Sequence, residues 1–141
     1  MLNKKLAFDT NILVYLLDEK SEFYLKTVKT VSEFETKGFE LVIAQQSIVE
    51  LVQVLTDYYN LSLVKASTKA KQIVNSKIKI VSPLPQTTKT YLELCKSNKK
   101  AKSHFDLFLA ATLIDNQVTK ILTNDKSGFK NIRQLKAMYL E

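Results

Sequence analysis

Short apolar runs alternate with longer stretches of helical period along nearly the whole chain. Leu6-Ala7-Phe8 reads as a buried strand that ends in Asp9, and Thr10 to Leu17 reads as the helix after it. From about Glu22 to Thr36, Phe23, Thr27, Val31 and Phe34 recur near one helical face, and Gly38 supplies a C-terminal stop. Leu41-Val42-Ile43 is a second compact strand. Beyond Ser47, the apolar residues Ile48, Leu51, Val52, Leu55 and Tyr59 recur at helical spacing, and Leu63 to Val74 predicts a further helix. Ile78 to Val81 is a third strand, closed by Ser82-Pro83-Leu84-Pro85. Helices follow over Thr87 to Ser97 and Phe105 to Asn116, then a fourth strand at Ile121-Leu122-Thr123. The tail from Ile132 to Leu140 is ambiguous and leaves room for a last edge strand.

Strands buried on both faces read as continuous apolar runs, and their alternation with helices implies a parallel sheet under helical cover. The predicted fold is an α/β three-layer sandwich, with a central, mostly parallel sheet of four or five strands and helices on both faces. One domain over residues 1–141 is expected, since no repeat, low-complexity tract or linker divides the chain. Right-handed crossovers bring the C-terminal ends of the strands to one edge, where open α/β sheets bind their ligands.

Composition narrows the class. An apolar fraction of 45% suits a folded core, and the single Cys95 excludes an internal disulfide framework. No segment approaches the roughly 18 apolar residues of a membrane span, and the apolar run after Met1-Leu2-Asn3-Lys4-Lys5 is too short for a signal peptide. A soluble, cytoplasmic protein is the expectation. The net charge of +7, from 21 basic against 14 acidic residues, favours a polyanionic partner such as nucleic acid. Arg133 is the only arginine. A surface that reads guanine edges through bidentate arginines is therefore not expected, whereas lysines still neutralise phosphates as point charges.

Against this basic background, four acids stand at strand or helix ends: Asp9, Glu50, Asp106 and Asp125. Each has a purely structural explanation. Asp9 suits an N-cap, and Ser47-Ile48-Val49-Glu50 and Ser103-His104-Phe105-Asp106 both fit capping boxes. Gln46, Glu50, Gln53 and Asp57 also form a polar stripe that could face water, and Asp125 with Gly128 matches a type I turn. The set is harder to dismiss. Asp9 and Asp125 follow strands, and Glu50 lies early in the helix after the second strand. Asp106 opens a helix that runs antiparallel to the sheet, as in any βαβ unit, so it reaches the same edge. Asn11, Thr123 and Asn124 fall there too. Converging carboxylates repel one another and stabilise a fold poorly, but they hold hard divalent cations through oxygen.

Phe8-Asp9-Thr10-Asn11, Glu50 in a helix that follows a strand, Asp106-Leu107-Phe108-Leu109-Ala110-Ala111 and Leu122-Thr123-Asn124-Asp125 with Phe129 together resemble the acidic signature of PIN-domain ribonucleases. In length and in coverage of nearly the whole chain, the resemblance is to the VapC-like toxins of toxin–antitoxin pairs. It implies a PIN-like fold and a metal-dependent endoribonuclease. Asp9, Glu50, Asp106 and Asp125 would be the acidic quartet, with Asn11 and Thr123 as polar support. Where many members carry Asp-Phe, this chain has Gly128-Phe129, so Asp125 takes the place of the fourth acid. The expected cofactor is Mg²⁺ or Mn²⁺. Asp9 and Asp106 are the expected direct ligands, Glu50 would orient the attacking water, and Asp125 would hold a second ion. The resemblance also implies a homodimer and a protein antitoxin whose tail covers the site. The rivals are a PIN nuclease of RNA processing without an antitoxin, and an inactive PIN-like nucleic-acid-binding module.

RNA must approach an acidic pocket, which requires positive charge beside it. Lys96, Lys99, Lys100 and Lys102 form the densest basic run and lead straight into Asp106. They are the expected RNA-binding residues, against the alternative of a loop kept soluble by charge. His104 could serve as a general acid, but an exposed residue at a loop–helix junction explains it more simply. Cys95 sits in an apolar helical pattern and reads as core, with no third member for a Cys–His nucleophile pair.

Overall fold

The protein is described by a computed structural model that covers residues 4–98 and 103–140. Five strands form one sheet in the order β3-β2-β1-β4-β5. β1 (Lys5–Phe8) is central, flanked by β2 (Glu40–Ala44) and β3 (Lys79–Val81) on one side, and by β4 (Lys120–Thr123) and β5 (Lys136–Tyr139) on the other. Every neighbouring pair is parallel, so the sheet is wholly rather than mostly parallel.

The period of two in each strand sorts side chains into two cores. Leu6, Phe8, Leu41, Ile43 and Leu122 face one cluster, while Ala7, Val42, Ala44 and Ile121 face the other. The first cluster is covered by α1 (Thr10–Leu17), α2 (Tyr24–Thr36), α3 (Gln45–Asp57) and α4 (Leu63–Val74). The second is covered by α5 (Thr87–Ser97) and α6 (His104–Asp115). This division follows from crossover handedness: the chain moves from β1 to β2 to β3 in one direction, then reverses to reach β4 and β5, so its connections change face. Each large apolar side chain buried in these layers contributes roughly 1.5–3 kcal/mol.

Helix α6 is apolar on most of its circumference and buries Leu107, Leu109, Ala110, Ala111 and Leu113. Such a helix belongs in the interior, which fixes the position of its N-terminal acid. The ambiguous tail supplies β5, paired in parallel with β4. Its connection, without a helix of its own, buries Phe129, Ile132 and Leu135 in the second core.

One local expectation is overturned. The Ser47–Glu50 capping box does not form, because α3 starts at Gln45 directly after β2, with Ala44 at the cap position. Ser47 is buried inside the helix and its hydroxyl lacks a partner among the described residues. Glu50 is thereby released from capping and turned toward α1. Among the described residues no helix is long and apolar enough to cross a membrane.

Candidate active site

The pairing register sets the first element of the site. Phe8 lies beside Leu122, so the next residues out, Asp9 and Thr123, emerge together at the C-terminal edge. The Asp9 amide donates to the Leu122 carbonyl at 3.0 Å, which continues the ladder one step beyond the strand. Thr123 Oγ1 donates to Asp9 Oδ2 at 2.7 Å and accepts the Asp125 N–H at 3.0 Å. Asn11 Nδ2 lies 3.4 Å from both Asp9 Oδ2 and Thr123 Oγ1, and Asn11 Oδ1 accepts the Asn124 N–H at 3.1 Å. Asp9 also caps α1, accepting the Thr10 N–H at 2.9 Å. Cap and site are therefore one residue, not competing explanations.

Glu50 arrives from α3 and is held at both oxygens. Thr10 Oγ1 donates to Oε2 at 2.7 Å, and Gln46 Nε2 donates to Oε1 at 2.9 Å. Gln46 Nε2 also reaches the Phe105 carbonyl at 3.1 Å, tying the start of α3 to the start of α6. Asp106 is placed by its helix: the Ser103 hydroxyl caps α6 by accepting the Asp106 N–H at 3.3 Å, as the sequence pattern suggested. Asp125 shapes its own turn, with Oδ1 accepting from the Ser127 N–H at 3.0 Å and Oγ at 2.8 Å.

The four carboxylates feel one another. Burial pushes the Asp9 carboxyl above the ordinary range, against hydrogen bonds from Thr123 and Thr10 that favour its charged form, and Glu50 and Asp125 push it further by repulsion. Asp106 is pushed up to about 6, first by burial and then by repulsion from Asp9, Glu50 and Asp125. No hydrogen bond opposes that shift. Gly128 borders the same space, since a Cβ there would lie 3.1 Å from Asp125 Oδ2 and 3.6 Å from Asp106 Oδ2. A side chain at position 128 would thus face this carboxylate pair, and glycine leaves the space open.

This donor set suits a hard cation, with a qualification from geometry. None of the three ion pairs among the described residues involves Asp9, Glu50 or Asp106, so their negative charge is left for another cation to offset. Equally, among the described residues no three acidic, histidine or cysteine side chains lie close enough to form a ready-made coordination shell. A cage for Ca²⁺, which takes six to eight oxygens, is thus not built here. Mg²⁺ takes one or two carboxylates and keeps most of its waters, which matches a loose constellation.

Asp9, Glu50, Asp106, Asp125, Asn11 and Thr123 are thus brought to one edge. The lysine run is not seen as a unit: Lys96 is exposed at the end of α5 and pairs with Glu93 at 3.5 Å, while Lys99, Lys100 and Lys102 lie outside the described residues. His104 is the exposed first residue of α6, and Cys95 packs partly buried against the second core. Sequence reasoning missed Thr10 and Gln46, the two residues that hold Glu50. Gln46 left a trace in the polar stripe it shares with Glu50; Thr10 stands within Phe8-Asp9-Thr10-Asn11, but nothing there ties it to Glu50.

The chain belongs to the PIN domain family, which it matches over residues 6–135. Solved structures with the same fold include a chain of the Rickettsia felis VapBC2 complex bound to a promoter DNA fragment, with a TM-score of 0.74 and 21% identity, covering 97% of this chain and 99% of that one. A chain of VapBC-1 from nontypeable Haemophilus influenzae has a TM-score of 0.73 and 17% identity, covering 96% of this chain and 98% of that one. VapC20 of Mycobacterium tuberculosis, a toxin that cleaves the sarcin–ricin loop, has a TM-score of 0.67 and 12% identity, covering 91% of this chain and 97% of that one. No curated protein matches the chain.

Proposed function

We propose that this protein is a divalent-metal-dependent endoribonuclease and the toxin of a toxin–antitoxin pair. The observation that carries the reading is the convergence of Asp9, Glu50, Asp106 and Asp125 on the C-terminal edge of the sheet, where burial and mutual repulsion raise Asp9 and Asp106. The likeness in fold to VapBC complexes, and to a toxin that cleaves the sarcin–ricin loop, supports the choice of RNA and of an antitoxin partner.

Mg²⁺ or Mn²⁺ bound at this edge would supply a water of lowered pKa and a counter-charge for the displaced oxygen. Asp9 and Asp106 would hold it, and Asp125 would hold a second ion. Asp106 must give up its proton before it can ligate, so loading competes with protonation near pH 6. Glu50, fixed by Thr10 and Gln46, keeps its oxygens oriented to accept a hydrogen bond from the attacking water. Thr123 and Asn11 hold the Asp9 carboxylate in one rotamer, supplying the outer-shell order that metal sites depend on.

The antitoxin reading has a physical support of its own. A cavity of about 680 Å³ opens beside Glu50 and Asp106, with Val14, Val49, Val54 and Phe105 on its wall. Phe105 is 74% exposed and Val49 68%. An apolar segment of a partner seated there would cover the acids and block RNA. The homodimer implied by the family has a candidate surface in the exposed Tyr58, Leu63 and Val64 around the start of α4. The deciding experiment is cleavage of an RNA panel with and without Mg²⁺ by wild type and Asp106→Asn, followed by titration with the product of an adjacent antitoxin gene. Metal-independent or absent cleavage by the wild type would remove the reading.

A further inference from the structure

A second groove, of about 440 Å³, lies between α2 and the outer strand β5. Its wall carries Lys26 and Lys29 from α2, Lys37 at the C-terminal cap of that helix and Lys136 from β5, against the single acid Glu33. Lys26, Lys29, Glu33 and Lys37 recur at helical spacing, on a flank of the helix beside the buried Thr27 and Val31. None of the four lysines takes part in an ion pair among the described residues, although Lys77, Lys79 and Lys96 elsewhere do. Phe34 adds aromatic surface, with Lys37 Nζ 5.8 Å from its ring centre.

The groove ends near further positive charge on one side and near the loop that carries Asp125 on the other. At its foot Phe39 packs edge-on against Phe34 at 5.1 Å, and Lys4 and Lys120 lie over the Phe39 ring at 5.6 and 5.0 Å. At its upper end Tyr139 stands beside Thr123 in the β4–β5 register, and its hydroxyl reaches the Lys126 carbonyl at 3.5 Å, next to Asp125. The four strand residues of β5 span roughly 13 Å between these ends. A chain leaving the carboxylates over Tyr139 therefore descends directly among lysines.

From this arrangement we infer that the α2–β5 groove is a docking track for the phosphate backbone of RNA, distinct from the acidic site that cuts it. The identity of the polyanion rests on the ribonuclease reading; the track itself rests on the uncompensated lysines. Lysine acts as a point charge and the groove contains no arginine, so contacts are with phosphate and independent of base sequence. Phe34 offers a surface on which a base of any identity can stack. The track supplies the attraction that the acidic edge lacks. It lies on the α1–α4 face of the sheet.

The test uses the full chain in EDTA, so that binding is read without metal-dependent cleavage. A Lys29→Ala, Lys136→Ala double variant, altered only at exposed positions, is compared with wild type for binding a short single-stranded RNA over a range of salt. Two lost phosphate contacts should flatten the slope of log K against log salt by about 1.4, at about 0.7 per contact. With Mn²⁺ restored, the variant should show a raised KM on long RNA and an unchanged rate on a dinucleotide too short to reach the groove. An unchanged slope and KM overturn the track while leaving the ribonuclease reading intact. Lysine-dependent RNA binding without cleavage by the wild type sinks the ribonuclease reading and leaves the track standing. Binding of polyglutamate but not RNA through the same lysines overturns the proposal in favour of an acidic protein partner.

Discussion

At the acidic edge, Asp9, Glu50 and Asp125 each accept hydrogen bonds from hydroxyl, amide or backbone donors within the fold. In the α2–β5 groove, by contrast, the lysines are exposed and without ion pairs among the described residues, with Lys37 lying over the Phe34 ring. The two regions suit different tasks. A small cation and a transferring phosphoryl group demand fixed oxygens, because catalysis there is positioning and electrostatics. A flexible polyanion needs only net positive charge, which mobile side chains supply without the entropy cost of ordering. Rigidity is concentrated where chemistry is expected, and charge alone where capture is expected.

The sharpest break in this comparison is Asp106→Asn or Asp9→Asn. On the proposed reading each substitution loses a metal ligand and with it several kcal/mol of charge stabilisation, so RNA cleavage should fall roughly a thousand-fold. Asn caps helices as well as Asp does, so the Asp9 change should leave α1 intact, and relief of repulsion should leave the metal-free protein at least as stable. Activity assays paired with thermal melts check both halves; unfolding together with inactivity would return Asp9 to a merely structural role.

A smaller effect is expected one layer out. Thr123→Val removes the hydroxyl between Asp9 and Asp125 at nearly constant volume. Metal affinity should drop about 10- to 100-fold, with activity partly restored by raised metal concentration. Calorimetric titration with Mn²⁺ measures this, and unchanged affinity would show that Asp9 does not need its partner.

The capture side responds to salt instead of metal. Lys99→Ala with Lys100→Ala should weaken RNA binding similarly across sequences and flatten the salt slope by about 1.4, with metal affinity retained. An unaltered slope would reduce that run to a solubilising loop and leave capture to the α2–β5 groove.

The subtlest prediction concerns pH. In the metal-free protein Asp106 titrates near 6, against an ordinary value of 3.8, so between these values the folded state holds a proton that the unfolded state has lost. Stability should therefore fall as pH rises from about 4 to about 6, and level off above. Asp9 acts in the same direction. Asp106→Asn should flatten the melting temperature across this window, and an equally steep decline in the variant would place its origin elsewhere.

Much of this architecture is legible in the chain itself. Helices α1, α4 and α5 fall on the residues predicted for them, α4 because it buries a single stripe behind a clear Ser62 cap and α1 because it starts directly at the Asp9 cap. Strands β1, β2 and β4 are evident because they are buried on both faces and read as unbroken apolar runs. β5 is not, since Lys-Ala-Met-Tyr at an edge is only half-buried and its pattern is weak. The start of α3 was misplaced for a related reason: Ser47-x-x-Glu50 has the local form of a cap, and only packing decides that Ser47 goes inside.

Residue order and hydrophobic period by themselves determined a parallel α/β sheet with four acids at its C-terminal edge, since strand direction and crossover hand leave those acids little choice of side. What each acid meets there was decided only by tertiary structure. The β1–β4 register sets Thr123 against Asp9, the packing of α1 against α3 brings Thr10 to Glu50, and the approach of α6 gives Gln46, one helical turn from Glu50, the Phe105 carbonyl as a second partner. The basic groove belongs wholly to this second category. Its lysines come from segments about a hundred residues apart and show no motif in sequence, because a polyanion site needs charge in one place and no fixed spacing along the chain.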